Sequence, residues 1–130
     1  MDSSAPEQPA RKQRILIVDD DETLLRALEM TFAARGKEVQ ACSTFETARK
    51  ALRTDRFDAL LTDVRLGAFN GLQLAVIARD EQPHIRIVVF SGFSDPVLEA
   101  EAHAVGAEYV VKPVTAAELS RLLDEETPGS

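Results

Sequence analysis

Apolar residues in this chain fall into short runs that stop abruptly at polar residues. Ile15-Leu16-Ile17-Val18 ends in Asp19-Asp20-Asp21, Ala59-Leu60-Leu61-Thr62 in Asp63, Ile87-Val88-Val89-Phe90 in Ser91-Gly92, and Tyr109-Val110-Val111 in Lys112-Pro113. Runs this short and this apolar read as buried strands. The segments between them have helical spacing. Leu24, Leu25, Leu28 and Phe32 form a stripe predicting a helix near 21–35, with acids at its start to suit the macrodipole and Gly36 placed to end it. Val39 to Cys42 reads as the second strand, and Ser43 with Glu46 spells a capping box for a helix near 44–53. Asn70-Gly71 opens a helix near 71–81 carrying Leu72, Leu74, Ala75, Ile77 and Ala78, with Pro83 beyond its end. Ile85 to Phe90 is the fourth strand. Asp95-Pro96 gives a cap and a first-turn proline for a helix reaching about Val105. Glu108 to Val111 is the fifth strand, and Thr115 with Glu118 caps a last helix reaching about Glu125. Five strands alternating with five helices predict an α/β fold: a parallel sheet, right-handed crossovers and helices on both faces.

Composition narrows the class. The 130 residues suit one domain, with residues 1–13 a polar tail, 14–126 the folded part and 127–130 a tail or linker stub. A hydrophobic content of 45% with 28% charged residues is ordinary for a globular chain. The formal net charge of −7 argues against direct nucleic-acid binding through a broad basic surface, and Arg11, Lys12 and Arg14 read as a solubilising lead-in. Cys42 is the single cysteine, so no internal disulfide forms and a reducing compartment fits. No apolar stretch approaches the ~18 residues of a membrane span. The first residues lack the apolar core of a secretory leader. A cytoplasmic location and no membrane contact are expected.

Parallel strands share one carboxyl edge, where ligands bind. That edge would gather Asp19, Asp20, Asp63, Ser91 and Lys112. Two carboxylates 4 Å apart repel by about 4 kcal/mol at an effective dielectric near 20, so the acids want a cation. Oxygen ligands alone suit Mg²⁺. No His/Cys cluster suits zinc, and His84 and His103 stand apart as surface or packing residues. Lys112 can neutralise carboxylates and hold a phosphoryl oxygen. Ser91 offers a hydroxyl, and Gly92 leaves its backbone N–H open to an anion. Either isomer of the Lys112–Pro113 bond is compatible with the sequence. An aspartate nucleophile, a metal, a lysine and donor groups meet the needs of phosphoryl transfer, which are positioning and charge stabilisation.

The acidic pair in ILIVDDD, DVRLGAFNG from Asp63 to Gly71, VVFSG and YVVKP, in that order, resemble the receiver domain of two-component response regulators across about residues 14–125. The resemblance implies the flavodoxin-like strand order 2-1-3-4-5 that this family shares. It implies that Asp63 is the phosphoacceptor and that Mg²⁺ is held by Asp20, Asp63, the backbone carbonyl of Arg65 and, through water, Asp19. It also implies that Ser91 and Lys112 engage the phosphoryl group and that Tyr109 moves inward with Ser91. The implied donor is a histidine kinase or phosphotransfer protein. The surface of helix four, strand five and helix five is the implied homodimer or effector face. Gly67 departs from the family, where many members carry proline, and predicts a looser loop. Arg65 and Phe93, each two residues beyond a site residue, stand where the family tunes phosphoryl lifetime.

Two other readings use the same residues. Ile15 to Thr23 also spells hhhhDxDxT, which resembles the nucleophile motif of haloacid-dehalogenase-type phosphatases, with Asp19 as nucleophile and Asp21 as general acid. That family needs a further acidic motif on a strand after the lysine; here only Glu118, Asp124, Glu125 and Glu126 follow. The other is a receiver-like interaction module that is never phosphorylated.

Overall fold

The structure, a computed structural model, describes residues 12–124. Most of the two expected tails lies outside the described residues. Five parallel strands make one sheet: β1 (Arg14–Val18), β2 (Glu38–Cys42), β3 (Ala59–Asp63), β4 (Arg86–Ser91) and β5 (Ala107–Val111), in the order β2-β1-β3-β4-β5. The connecting helices are α1 (Glu22–Ala34), α2 (Phe45–Thr54), α3 (Gly71–Glu81), α4 (Pro96–Ala104) and α5 (Ala116–Asp124). The expected doubly wound α/β fold and its strand order are present. The order reverses between β1 and β3, which opens a crevice at their carboxyl ends.

Side chains alternate across the sheet and build two cores. Ile15, Ile17, Leu61, Val88 and Phe90 pack against Leu25, Leu28 and Phe32 of α1 and Leu119 and Leu123 of α5. Leu16, Val18, Leu60, Ile87 and Val89 face the other way, toward α2, α3 and Ala102 of α4. β1 and β3 are covered on both faces, which is why they read as unbroken apolar runs.

Most helix starts follow the expected chemistry. Asp21 caps α1, accepting the N–H groups of Thr23 and Leu24. Asp95 caps α4 ahead of Pro96. The hydroxyl of Thr115 accepts the N–H of Glu118, whose carboxylate accepts the N–H of Thr115 in return. The α2 cap is a correction. It is Thr44, not Ser43, that accepts the Thr47 N–H at 3.2 Å, and Glu46 instead faces Arg49 at 3.7 Å. Starting one residue later puts Phe45 at the first helical position, buried and stacked on Phe69 with ring centroids 4.5 Å apart.

An element not anticipated follows β3. Arg65–Leu66 and Phe69–Asn70 pair antiparallel around Gly67-Ala68. Gly67 has φ +62°, a left-handed conformation that proline cannot adopt. The departure from the family pattern thus corresponds to a tight hairpin turn here, not simply to a looser loop.

Candidate functional site

Register decides which residues meet. Val18 pairs with Thr62, so Asp19 emerges beside Asp63. Asp63 pairs with Phe90, so Ser91 lies one step further along the edge. Ser91 pairs with Val111, and Lys112 follows, donating its backbone N–H to the Ser91 carbonyl at 2.7 Å. Asp63, Arg65, Ser91, Gly92, Phe93 and Lys112 line a pocket of about 310 Å³. A larger cavity of about 530 Å³ lies at the opposite edge of the sheet, between Arg14, Phe57 and His84. Size alone therefore does not mark the chemistry; of the two, the smaller sets the Asp63 carboxylate against the Lys112 ammonium.

The acids behave as distinct groups. Carboxylate oxygens of Asp19, Asp20 and Asp63 lie within 4.8 Å of one another, with Asp19 and Asp63 buried and Asp20 exposed. Asp19 Oδ1 accepts the Asp21 N–H at 2.8 Å, while its buried Oδ2 has no hydrogen-bond partner. Asp20 Oδ2 accepts the N–H of Gly67 at 3.3 Å, so the hairpin touches the acidic cluster. The Lys112 ammonium lies 3.5 Å from Asp63 Oδ1 and 3.8 Å from Asp19 Oδ2, above the Phe90 ring at 4.9 Å. One lysine beside two of the three carboxylates leaves a local negative excess. An orphaned buried oxygen within an all-oxygen cluster fits a hard divalent cation.

Burial, with that excess adding to it, shifts proton affinity. Burial raises the Asp19 carboxyl from 3.8 to about 6; the Asp21 N–H pulls it down and the Asp63 charge adds to the rise. Burial also raises Asp63, against the lowering pull of Lys112. For Asp19 the folded chain keeps a proton that the unfolded chain has released, so its contribution to stability is present at low pH and is lost as pH rises toward 6. At roughly 1.4 kcal/mol per pKa unit the loss is about 3 kcal/mol. Urea unfolding in chelator should therefore find Asp19→Asn more stable than the wild type by about that much near pH 7, the gap closing toward pH 4. A gap independent of pH would refute this.

Other expectations meet the structure unevenly. The Ser91 hydroxyl is buried and accepts the Phe93 N–H at 3.3 Å. Gly92 has open space where a Cβ would sit, so crowding does not require glycine there. The Tyr109 hydroxyl, from a half-buried ring, donates to the Phe93 carbonyl at 3.0 Å and ties β5 to the β4–α4 loop. The Arg65 guanidinium lies over the Phe93 ring at 5.4 Å, across the pocket mouth. Lys112–Pro113 is cis. The carboxylate of Asp21 caps α1, which argues against its serving as a phosphatase's general acid.

Sequence reasoning missed Gly71 as a positioning residue. A Cβ there would collide with the Asp63 carbonyl and lie 3.1 Å from Thr62 Oγ1. Its N–H donates to the Val64 carbonyl at 2.6 Å. The start of α3 is thus pressed directly against the end of β3. A signal was present: glycine is a poor helix former, yet it follows a sufficient cap in Asn70, which forms a full capping box with Gln73.

Known proteins match this arrangement. Residues 15–124 fit the model of the response regulator receiver domain. The alginate biosynthesis transcriptional regulatory protein AlgB of Pseudomonas aeruginosa is 34% identical over 109 residues, covering 82% of this chain and 24% of that protein. The photosynthetic apparatus regulatory protein RegA of Rhodobacter capsulatus is 32% identical over 111 residues, covering 84% of this chain and 60% of that protein. The chain spans about a quarter of the length of the first curated relatives it matches. A Burkholderia pseudomallei response regulator crystallised with a phosphorylated aspartic acid, calcium ion and citrate superposes with a TM-score of 0.82 at 27% identity, covering 86% of this chain and 66% of that one. With the sheet order, the acidic crevice and a family match over nearly all the described residues, the chain belongs to the response regulator receiver family and is a receiver domain of two-component signalling.

Proposed function

We propose that this receiver accepts a phosphoryl group on Asp63 from a histidine kinase or phosphotransfer protein in the cytoplasm. The observation that carries the reading is the buried Asp63 carboxylate facing Lys112 within the three-acid cluster. A phosphorylated aspartate and a calcium ion in a 27%-identical relative support it. In the transfer the donor's phosphorus–nitrogen bond breaks and an acyl phosphate forms on an Asp63 oxygen. Asp20, Asp63, the Arg65 carbonyl and, through water, Asp19 would hold Mg²⁺, which when bound neutralises charge on the phosphoryl oxygens. The Lys112 ammonium is already within reach to follow the carboxylate once it is esterified. The Ser91 hydroxyl can exchange the Phe93 N–H for a phosphoryl oxygen and donate to it, with Gly92 N–H beside it. With Phe93 N–H released the loop can shift, drawing the Phe93 carbonyl away from the Tyr109 hydroxyl so that the ring can turn inward. The state of Asp63 thereby reaches the face of α4, β5 and α5, where exposed Val97 and Val111 suit a homodimer or effector contact.

The deciding experiment is incubation with acetyl phosphate and Mg²⁺, read by intact mass. One phosphoryl adduct is expected, and chelation of the metal before the reaction should prevent it. Its absence would favour a non-phosphorylated interaction module.

The Arg65–Phe93 stack would screen the acyl phosphate from water. A cation–π contact at an exposed site is worth about 0.5–1 kcal/mol, so Arg65→Ala or Phe93→Ala should shorten the phosphoryl half-life about two- to fivefold. Unchanged half-lives in both variants would remove the stack from the mechanism.

A further inference from the structure

The two ends of α4 are held very differently. At its C-terminal end Ala102 is fully buried, and the guanidinium of Arg79, from α3, reaches across to it. Arg79 Nε donates to the Val105 carbonyl at 3.0 Å and Nη2 to the Gly106 carbonyl at 3.2 Å. Nη1 donates to the carbonyls of Pro83 and Ile85 at 2.8 and 2.7 Å. One planar fork therefore joins the end of α4 to the α3–β4 connection. Gly106, at φ +75°, leaves room for it: a Cβ there would lie 3.3 Å from Arg79 Nη2. The end of α3 is itself fixed. Buried Gln82 donates to the carbonyls of Leu52 and Asp55 and accepts the Phe57 N–H.

The other end of α4 is held more lightly, through half-buried Leu98 packed on the core. Val97 is 66% exposed, and none of the residues from Pro96 to Glu101 is fully buried. Its cap comes from Asp95 in the same loop, and the Tyr109 hydroxyl holds that loop through Phe93. This loop starts at Ser91, the site end of β4.

We propose that Arg79 is the pivot of the response: the start of α4 swings while its C-terminal end stays bolted to α3. Arg79 is a positioning residue, far from the acids, and the inference rests on the phosphorylated-Asp63 reading for what drives the swing. A lysine keeps the charge but cannot present a planar fork to four carbonyls.

Hydrogen–deuterium exchange of the full chain, with and without acetyl phosphate and Mg²⁺, tests this. In the wild type, phosphorylation should change exchange at Glu99 and Ala100 about tenfold and leave Val105 to Ala107 within about twofold. Arg79→Lys should speed exchange at Val105 to Ala107 about tenfold in either state, with β1 and β3 unchanged as proof of folding. The proposal is overturned if Arg79→Lys leaves those amides unaltered, or if phosphorylation alters both ends of α4 alike in the wild type. Should intact mass show no adduct, the Asp63 reading fails on its own. The Arg79→Lys comparison in unphosphorylated protein then still decides the clamp.

Discussion

Asp63→Asn is expected to take up no phosphoryl group from acetyl phosphate and Mg²⁺, and to be more stable than the wild type in the absence of metal. Both outcomes come from the same surroundings. The amide lacks the nucleophilic carboxylate, so the adduct seen by intact mass should vanish. The folded chain also disfavours the charged form of Asp63, chiefly by burial, and the charge of Asp20 adds to this against the pull of Lys112. A neutral group of the same shape removes that cost at neutral pH. Chemical denaturation in chelator should show a higher midpoint with an unchanged slope. An Asp63→Asn chain that still gains a phosphoryl group at the wild-type rate would place the acceptor elsewhere. Asp19→Asn, by contrast, should keep the adduct and lose Mg²⁺ affinity, which separates acceptor from metal holder.

Gly71→Ala should be among the most damaging single-methyl changes in the chain. The methyl group has nowhere to go, because it meets the carbonyl of Asp63, which is backbone and cannot swing aside. Overpacking against main chain costs about 3 kcal/mol or more. If the start of α3 retreats to relieve it, the 2.6 Å bond from Gly71 N–H to the Val64 carbonyl lengthens and the end of β3 shifts with it. A displacement near 1 Å at a reacting group can cost about a hundredfold in rate, so phosphoryl uptake should fall steeply even in folded protein. Gly67→Ala is the matched control. It meets no neighbour and should carry only the roughly 1 kcal/mol of a left-handed turn. Equal unfolding midpoints for the two variants would show that α3 yields more readily than this packing allows.

The sheet was legible in the sequence because strands covered on both faces must be apolar throughout, and each run stopped where the crevice begins. Asp19, Asp63, Ser91 and Lys112 were legible for the same reason: a polar residue ending a buried strand has few other reasons to be there. What stayed hidden depends on close approach between distant segments. Gly71 against the Asp63 carbonyl, Gly67 N–H on Asp20, and Arg79 across four carbonyls join residues whose spacing carries no period. The α2 cap was misplaced by one because Ser43 and Thr44 offer equivalent hydroxyls, and only the burial of Phe45 chooses between them.

The parallel register makes the chain unevenly tolerant of changes in length. Asp19, Asp63, Ser91 and Lys112 converge only because Val18, Thr62, Phe90 and Val111 hold fixed partners across the sheet. A residue inserted within β4 would turn Val88 and Phe90 out of one core and carry Ser91 past Asp63. The same residue added to the turn between α2 and β3, at 54–56, would leave that pairing in register and strain the Gln82 bonds to Asp55 and Phe57 instead. A change in length thus disturbs turn hydrogen bonds along one rim of the sheet and the site itself along the other.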